Sequence, residues 1–331
     1  MPPSVPPAEP TGAFSSLDPN TFIDAVASAI GRPLTGLCRP YASYINRVFE
    51  LRAEDGEGLV AKFYRPDRWS RDALLEEHAF VLELAADEQP VIPPLPLANG
   101  ATLGQHEGAH FAVFPKKGGR MVDEFTDADW LATGRLLARL HRIGALREAP
   151  HRVRIHPEAS TDSQLDFLLS GDFVPEPFAR PYQSLGRELV ALARERFTGV
   201  ALQRVHGDLR LANLIHRPGE GTFVVDFDDM GMGPVAQDLW LLLPGHRGEC
   251  GRELGLLLEG YEVFLEFPRD QLGLIEILRA MRFIHHSSWC ARQVGDGAFA
   301  ETHPYWGTPA YWDEEISALE RQLARIRDGE A

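Results

Sequence analysis

The sequence predicts an α+β protein of two lobes, a small strand-rich one followed by a large helical one. Three observations predict it. Residues 34–65, and a second stretch ending in FAVFP at 111–115, are short apolar runs punctuated by turn residues. One long helical segment lies between them. Beyond residue 121 the pattern is helical almost to the end, interrupted by a strand-rich insert over 202–227. A chain of 331 residues with 44% hydrophobic content carries enough apolar material for such a core.

Residues 1–16, rich in Pro, Ser and Ala, read as a disordered tail. Asp18-Pro19-Asn20 starts a helix that Gly31 stops. The runs YINRVFELRA and LVAKFYRP, separated by Glu54-Asp55-Gly56, read as a hairpin. Ser70 caps a helix running to about Asp87, with Leu74, Leu75, Ala79, Leu82 and Leu84 as its apolar face. Prolines 90, 93, 94 and 96 end it, and two short strands follow around Asn99-Gly100. The small lobe therefore occupies 17–115, a Lys/Gly-rich hinge 116–120, and the helical lobe 121–331. In the latter, Thr126 or Asp127 caps WLATGRLLARLHRIG, and helices are expected over 161–170, 180–197, 235–244, 250–266, 269–294 and 311–327. There is no internal repeat.

Lys and Arg number 33 against 48 Asp and Glu, a net charge of −15, so the surface repels phosphate backbones and nucleic acid is not an expected partner. Cys38, Cys250 and Cys290 are far apart and form no Cys-x-x-Cys pair, which fits reduced thiols better than disulfides or zinc. MPPSVPPAEP has no basic start followed by an apolar run, so no signal peptide is expected. The longest apolar stretches, such as Asp238 to Pro244, are too short to span a bilayer. A cytoplasmic monomer without membrane contact is the expectation.

The chemistry concentrates in LQRVHGDLRLANLIHRPGEGTFVVDFDDMGMGPVAQDLW. Here His206 to Asn213 spell H-G-D-x-R-x-x-N, and after an apolar strand Asp226 to Asp229 spell D-F-D-D. Phosphoryl transfer from ATP needs a carboxylate to orient and deprotonate the attacking hydroxyl, and oxygen ligands to hold Mg²⁺ on the phosphates. Asp208 suits the first role. Asn213 suits the second, and the hairpin LIHRPGEGTFVVD returns Asp226 toward it. Arg210 can neutralise charge on the transferring group. Asp228 or Asp229 could bind a second Mg²⁺ or a substrate group, and the spacing does not choose between them.

These segments resemble the catalytic and metal-binding loops of the aminoglycoside phosphotransferase and choline kinase superfamily. The resemblance runs from about Leu17 to Arg325 and extends to its bacterial cytoplasmic Ser/Thr protein kinases. It rests on SYINRVFEL at 43–51, VAKFYRPDRW at 60–69, LLEEHAFVLEL at 74–84, FAVFPKKGGR at 111–120, HGDLRLAN, VDFDD, GPVAQDLWLLL and LRAMRFI at 278–284. It implies a bilobal protein-kinase-like fold and Mg-ATP as phosphoryl donor. Asp208 is then the proton acceptor, and Asn213 and Asp226 are the Mg²⁺ ligands. Lys62 is the strand lysine on the ATP phosphates, with Glu77 or the adjacent Glu76 as its helix ion-pair partner. Ser43 falls in the turn over the phosphates, the backbone from Phe111 through Phe114 to Pro115 contacts adenine, and Asp238 braces the catalytic loop. The chain departs from the superfamily by having Arg210 where His is usual and Ala212 where Gly is usual, and it has no G-x-G-x-x-G loop.

Blander readings stand beside these. A strand lysine is commonly a solvated edge charge, and one of Glu76 and Glu77 is an exposed helix residue. The adjacent His285 and His286 point to different helix faces and do not read as a metal pair. Trp289, Trp306 and Trp312, with Tyr305 and Tyr311, read as packing of the last helices, and Arg279 and Arg282 as structural ion pairs. The function implied by resemblance is an ATP-dependent protein Ser/Thr kinase, with a bacterial stress role. The alternatives are a small-molecule kinase of the aminoglycoside, choline or homoserine kinase type and an inactive ATP-binding scaffold. Lys62, Asp208, Asn213 and Asp226 are all present, which speaks against the scaffold.

Overall fold

Alternation explains the first half of the chain. The computed structural model describes residues 18–41, 43, 45–122, 124–296 and 299–329, so the expected tail lies outside the described residues. Helix α1 (Pro19–Ile30) ends where Gly31 takes a φ of +66°, a conformation that costs glycine little. Strands β1 (Leu34–Pro40), β2 (Arg47–Ala53) and β3 (Gly58–Phe63) then run antiparallel. Along β3 every second side chain turns inward: Leu59, Ala61 and Phe63 join Phe22, Phe49 and Phe111 in an apolar cluster. Lys62 is thereby placed on the opposite face.

Helix α2 (Arg71–Ala86) begins where the Ser70 hydroxyl accepts the Ala73 N–H at 3.1 Å. It buries Ala73, Leu74, Glu77, His78, Phe80, Val81 and Leu84. Leu82, read as part of the apolar face, is instead 40% exposed, because Phe80 and Val81 take the inward positions. Strands β4 (Gly104–His106) and β5 (Ala109–Pro115) complete a sheet of order β1-β2-β3-β5-β4. The turn between them lies at Glu107-Gly108, both with positive φ, not at Asn99-Gly100. The latter pair makes a separate loop closed by Leu97 N–H to the Ala101 carbonyl. Lys116 to Gly119 are irregular, and Arg120–Met121 form a two-residue strand, β6.

Helix α3 (Asp127–Gly144) opens with a capping box in which Thr126 and Asp129 satisfy each other's backbone N–H. There follow α4 (Ser163–Ser170), α5 (Glu176–Arg196), β7 (Gln203–Val205), β8 (Leu214–Arg217), β9 (Gly221–Val224), β10 (Gly231–Gly233) and α6 (Gln237–Trp240). The chain ends with α7 (Gly251–Tyr261), α8 (Ile275–Gln293), α9 (Phe299–Thr302) and α10 (Pro309–Arg327). Several expected helices are shorter than the pattern suggested, and 250–266, for one, is helical only over α7. The segment 235–244 is helical only over α6, and 269–274 is a 3₁₀ turn ahead of α8. Strand β10, which pairs with β7, carries only Gly and Met and gave no period-2 signal.

The chain divides into two compact units. One holds the residues up to Val122 together with Asn213–Asp228, and the other holds the rest. In the first, β6, β8 and β9 form a small sheet in which Leu214 opposes Val224 and Arg120 opposes His216. In the second, α3 and α7 cross at glycines: a Cβ on Gly134 or Gly260 would meet a carbonyl oxygen of the partner helix.

Candidate active-site residues

In the first unit a cationic residue sits among carboxylates. The Lys62 ammonium lies 3.3 Å from Asp226 Oδ1 and 3.2 Å from Asp228 Oδ1, and 5.1 Å from the Tyr64 ring centre. Burial works to lower the Lys62 pKa, but Asp228, Asp226 and Glu77 together outweigh it and hold it well above the ordinary lysine value. Glu77 is buried and accepts the Tyr64 hydroxyl at 3.5 Å. The expected Lys62–Glu77 (or Glu76) ion pair is thus replaced by pairs with Asp226 and Asp228, and Glu77 contributes through its field. Of the two glutamates, Glu77 is the buried one.

The two expected metal ligands are delivered by one hairpin. β8 and β9 pair Leu214 with Val224, and the Val225 N–H donates to the Asn213 carbonyl at 3.0 Å. Asn213 and Asp226 therefore flank the open end of the same ladder. Asp226 itself has a φ of +63°, a strained conformation for an aspartate. Phe227 fixes the loop behind it by packing edge-on to Phe80 of α2, centroids 5.9 Å apart. Asp228 is buried and also pairs with Arg68, a residue to which the sequence reading gave no role. Asp228 is therefore committed to two cations, while Asp226 keeps 53% of its side chain exposed.

That donor set fits Mg²⁺ of the kind held partly by substrate phosphates: an exposed carboxylate and an amide oxygen, both hard ligands. Among the described residues there is no group of three or more His, Cys, Asp and Glu side chains able to cage a metal. Ser43 is exposed in the β1–β2 connection. Phe114 is half-buried on β5, edge-on to His78.

The second unit holds Asp208. The loop after β7 is pinned by Asp238, whose Oδ2 accepts the His206 N–H at 2.7 Å and whose Oδ1 accepts the Gly207 N–H at 2.8 Å. Asp238 lies 3.2 Å from His141 Nε2, and His141 Nδ1 is 3.1 Å from the Tyr261 hydroxyl. Burial pushes the Asp238 pKa up, but the hydrogen bond and charge of His141, with the loop amides, hold it below the ordinary carboxylate value. The brace expected of Asp238 is present. Gly207 takes a φ of +85°, and a Cβ there would run into the Asp229 carbonyl oxygen. Ala212 is not among the residues with positive φ; it lies in a 3₁₀ turn, Leu211–Asn213, which alanine adopts without strain.

Asp208 is buried, and two guanidinium groups reach it. Arg210 Nε stands 3.2 Å from Oδ2, and Arg282 Nη2 donates to Oδ1 at 2.9 Å. Arg282 comes from α8 and was read only as a structural ion pair. The one signal that could have flagged it is a charge in LRAMRFI between Met281 and Ile284, which are both buried. Arg279, read the same way, does pair structurally, with Glu276.

Comparison with known proteins decides the family. The model of a phosphotransferase enzyme family, APH, matches residues 38–274. The chain belongs to that family. As an APH phosphotransferase it is 38% identical over 319 residues to stress response kinase A of Escherichia coli K12, covering 95% of each chain. It is 37% identical over 316 residues to the serine/threonine protein kinase RdoA of Salmonella typhimurium LT2, again covering 95% of each. Among solved structures, an amicoumacin kinase in complex with AMP-PNP, Ca²⁺ and its ligand aligns with a TM-score of 0.72 at 20% identity, over 95% of this chain and 94% of that one. The resemblance read from the sequence is therefore borne out, as are the kinase-like α+β fold and a kinase as the broad activity. No helix among the described residues is long and apolar enough to cross a membrane.

Proposed function

We propose that this APH phosphotransferase transfers the γ-phosphoryl group of Mg-ATP to a protein Ser or Thr hydroxyl. The observation that carries the choice of acceptor is the end-to-end likeness to a relative named as a serine/threonine protein kinase. The nucleotide rests on the lysine and carboxylates around Lys62 and on a structural neighbour solved with AMP-PNP.

In this reading Asp208 orients the acceptor hydroxyl and takes its proton as the oxygen bonds to the γ-phosphorus. The bond from that phosphorus to the β-bridging oxygen breaks, and ADP leaves. Lys62 contacts the phosphates and Arg210 neutralises charge on the phosphoryl group in flight. Asn213 and Asp226 would hold Mg²⁺, which when bound offsets the phosphate charge. Ser43 and the backbone around Phe114 serve nucleotide binding. Asp238 and Gly207 fix the backbone that presents Asp208.

A second reading is favoured by the amicoumacin kinase neighbour: a small-molecule kinase. Labelled ATP separates the two. The full chain is incubated with a generic protein acceptor, an aminoglycoside and choline. Label in protein is the expected result. Label only in a small molecule would overturn the protein-kinase reading.

A further inference from the structure

Two guanidinium groups and one carboxylate meet at Asp208, and their charges do not cancel. Arg210 and Arg282 contribute two positive charges against one negative, so this triad carries a net single positive charge. The Arg282 side chain keeps 34% of its surface exposed while bonded to Asp208. It also enters from a different element, α8, and is not needed to build the H-G-D-x-R-x-x-N loop.

The same face of α8 continues the pattern. His286 lies four residues and Trp289 seven residues beyond Arg282, on one side of the helix. Burial and the charges of Arg282 and His303 keep the His286 pKa below the ordinary histidine value, which places Arg282 within electrostatic reach of it. The His286 and Trp289 rings stack at 6.1 Å, and Trp289 meets His303 edge-on at 5.7 Å. Arg282 is thus followed along this face by imidazole and indole groups.

We propose that Arg282 is a specificity-determining residue that selects acceptor hydroxyls flanked by acidic groups, namely Ser or Thr in an acidic peptide. The inference rests on the protein-kinase reading above and adds the acceptor's charge to it. A cationic acceptor approaching Asp208 meets the Arg282 guanidinium, which the phosphoryl donor does not engage, whereas a carboxylate next to the hydroxyl meets a guanidinium able to bind it in a two-pronged fashion. The net charge of the whole chain, −15, favours the opposite choice at long range. A preference for acidic peptides can therefore be assigned to short-range contacts.

The test uses two peptides that differ only in having Glu or Lys on either side of one Ser. The ratio of their kcat/KM values is measured for the wild-type chain, for Arg282→Gln and for Arg282→Lys. The wild type is expected to prefer the acidic peptide. Arg282→Gln is expected to lower that ratio about tenfold, mainly through KM for the acidic peptide, and Arg282→Lys to keep only part of it, because an ammonium retains the charge but not the two-pronged grip. Each ratio is taken within one variant, so a general loss of activity cancels. Wild-type preference for the basic peptide, or a ratio unmoved in Arg282→Gln, overturns the proposal. The wild-type arm needs no variant, so a misfolded Arg282→Gln does not shield it. Equal labelling of both peptides sinks this inference and leaves the kinase reading standing. Label in neither peptide but in choline or an aminoglycoside sinks both.

Discussion

Asp238 accepts the backbone N–H of Gly207 at 2.8 Å through a carboxylate that is 0% exposed. A buried carboxylate bound to two amides and facing an imidazole is stable only as a set. Asp238→Asn puts an amide N–H₂ where one of those N–H groups needs an acceptor, and is expected to cost about 3 kcal/mol of stability. Thermal melts at pH 7 would read it, and an unshifted midpoint would remove the brace. Because the folded pKa of Asp238 is depressed, its contribution is complete above the unfolded carboxylate value of ~3.9 and disappears as pH falls through the folded value. The gap between wild type and Asp238→Asn should therefore narrow in strong acid.

Gly207→Ala probes the same loop from the backbone side. The φ of +85° and the Asp229 carbonyl oxygen leave a methyl group nowhere to go without moving the loop. The expected loss is about 1–3 kcal/mol, with a larger proportional fall in phosphoryl transfer than in overall helicity. Wild-type activity in a folded Gly207→Ala protein would show that the loop tolerates displacement.

Lys62→Ala removes one of two cations on Asp228, whose side chain is only 6% exposed. Arg68 remains, so folding should survive, while phosphoryl transfer should fall to background. An unchanged rate would argue against contact between Lys62 and the phosphates. Lys62→Arg should not rescue the activity, because a planar fork does not replace a compact ammonium among two carboxylates and an aromatic ring.

Much of this was legible in advance because local physics agreed with the global fold. The alternation Leu59, Ala61, Phe63 with Lys62 facing the other way announces a half-buried strand, and Ser70 and Thr126 announce helix starts. The hairpin that brings Asn213 and Asp226 to one end of a ladder was readable from spacing, because the local pairing of β8 with β9 sets both positions. The partners of Asp208 and Asp228 were not readable. Arg282 reaches Asp208 over a sequence separation of 74 residues, and Arg68 reaches Asp228 over 160. Such pairings depend on how distant elements pack. The expected Lys62–Glu77 pair failed for a related reason: adjacency on a helix names two candidate glutamates, but nothing local weighs either against Asp226 and Asp228.

Asp208→Asn tests the proposed base directly. Asparagine keeps the shape and one acceptor for Arg282, but cannot take a proton. Phosphoryl transfer is expected to drop about 10²–10⁴-fold, with nucleotide affinity within a few-fold of wild type. Single-turnover kinetics and an ATP titration separate the two quantities. Equal turnover in the variant would remove Asp208 from the role.

Glu315 offers a stability test remote from this chemistry. It lies on α10, and its Oε1 accepts the Ser287 hydroxyl at 2.7 Å, which in turn is 2.7 Å from the Tyr311 hydroxyl. Burial raises its pKa to about 7, well above the ordinary carboxylate range, and the Ser287 hydrogen bond only partly opposes this. A carboxyl whose folded pKa is raised binds its proton more tightly in the native state. Its contribution to stability is complete below the unfolded value of ~4.3 and declines as pH rises toward the folded one, the loss approaching on the order of 3 kcal/mol. Glu315→Gln keeps an acceptor for Ser287 and has no charge to bury. Its melting temperature should therefore differ little from wild type at pH 5 and exceed it by several degrees at pH 8. A difference of the same size and sign at both pH values would show that Glu315 is ionised in the folded protein throughout, and that burial does not control its titration.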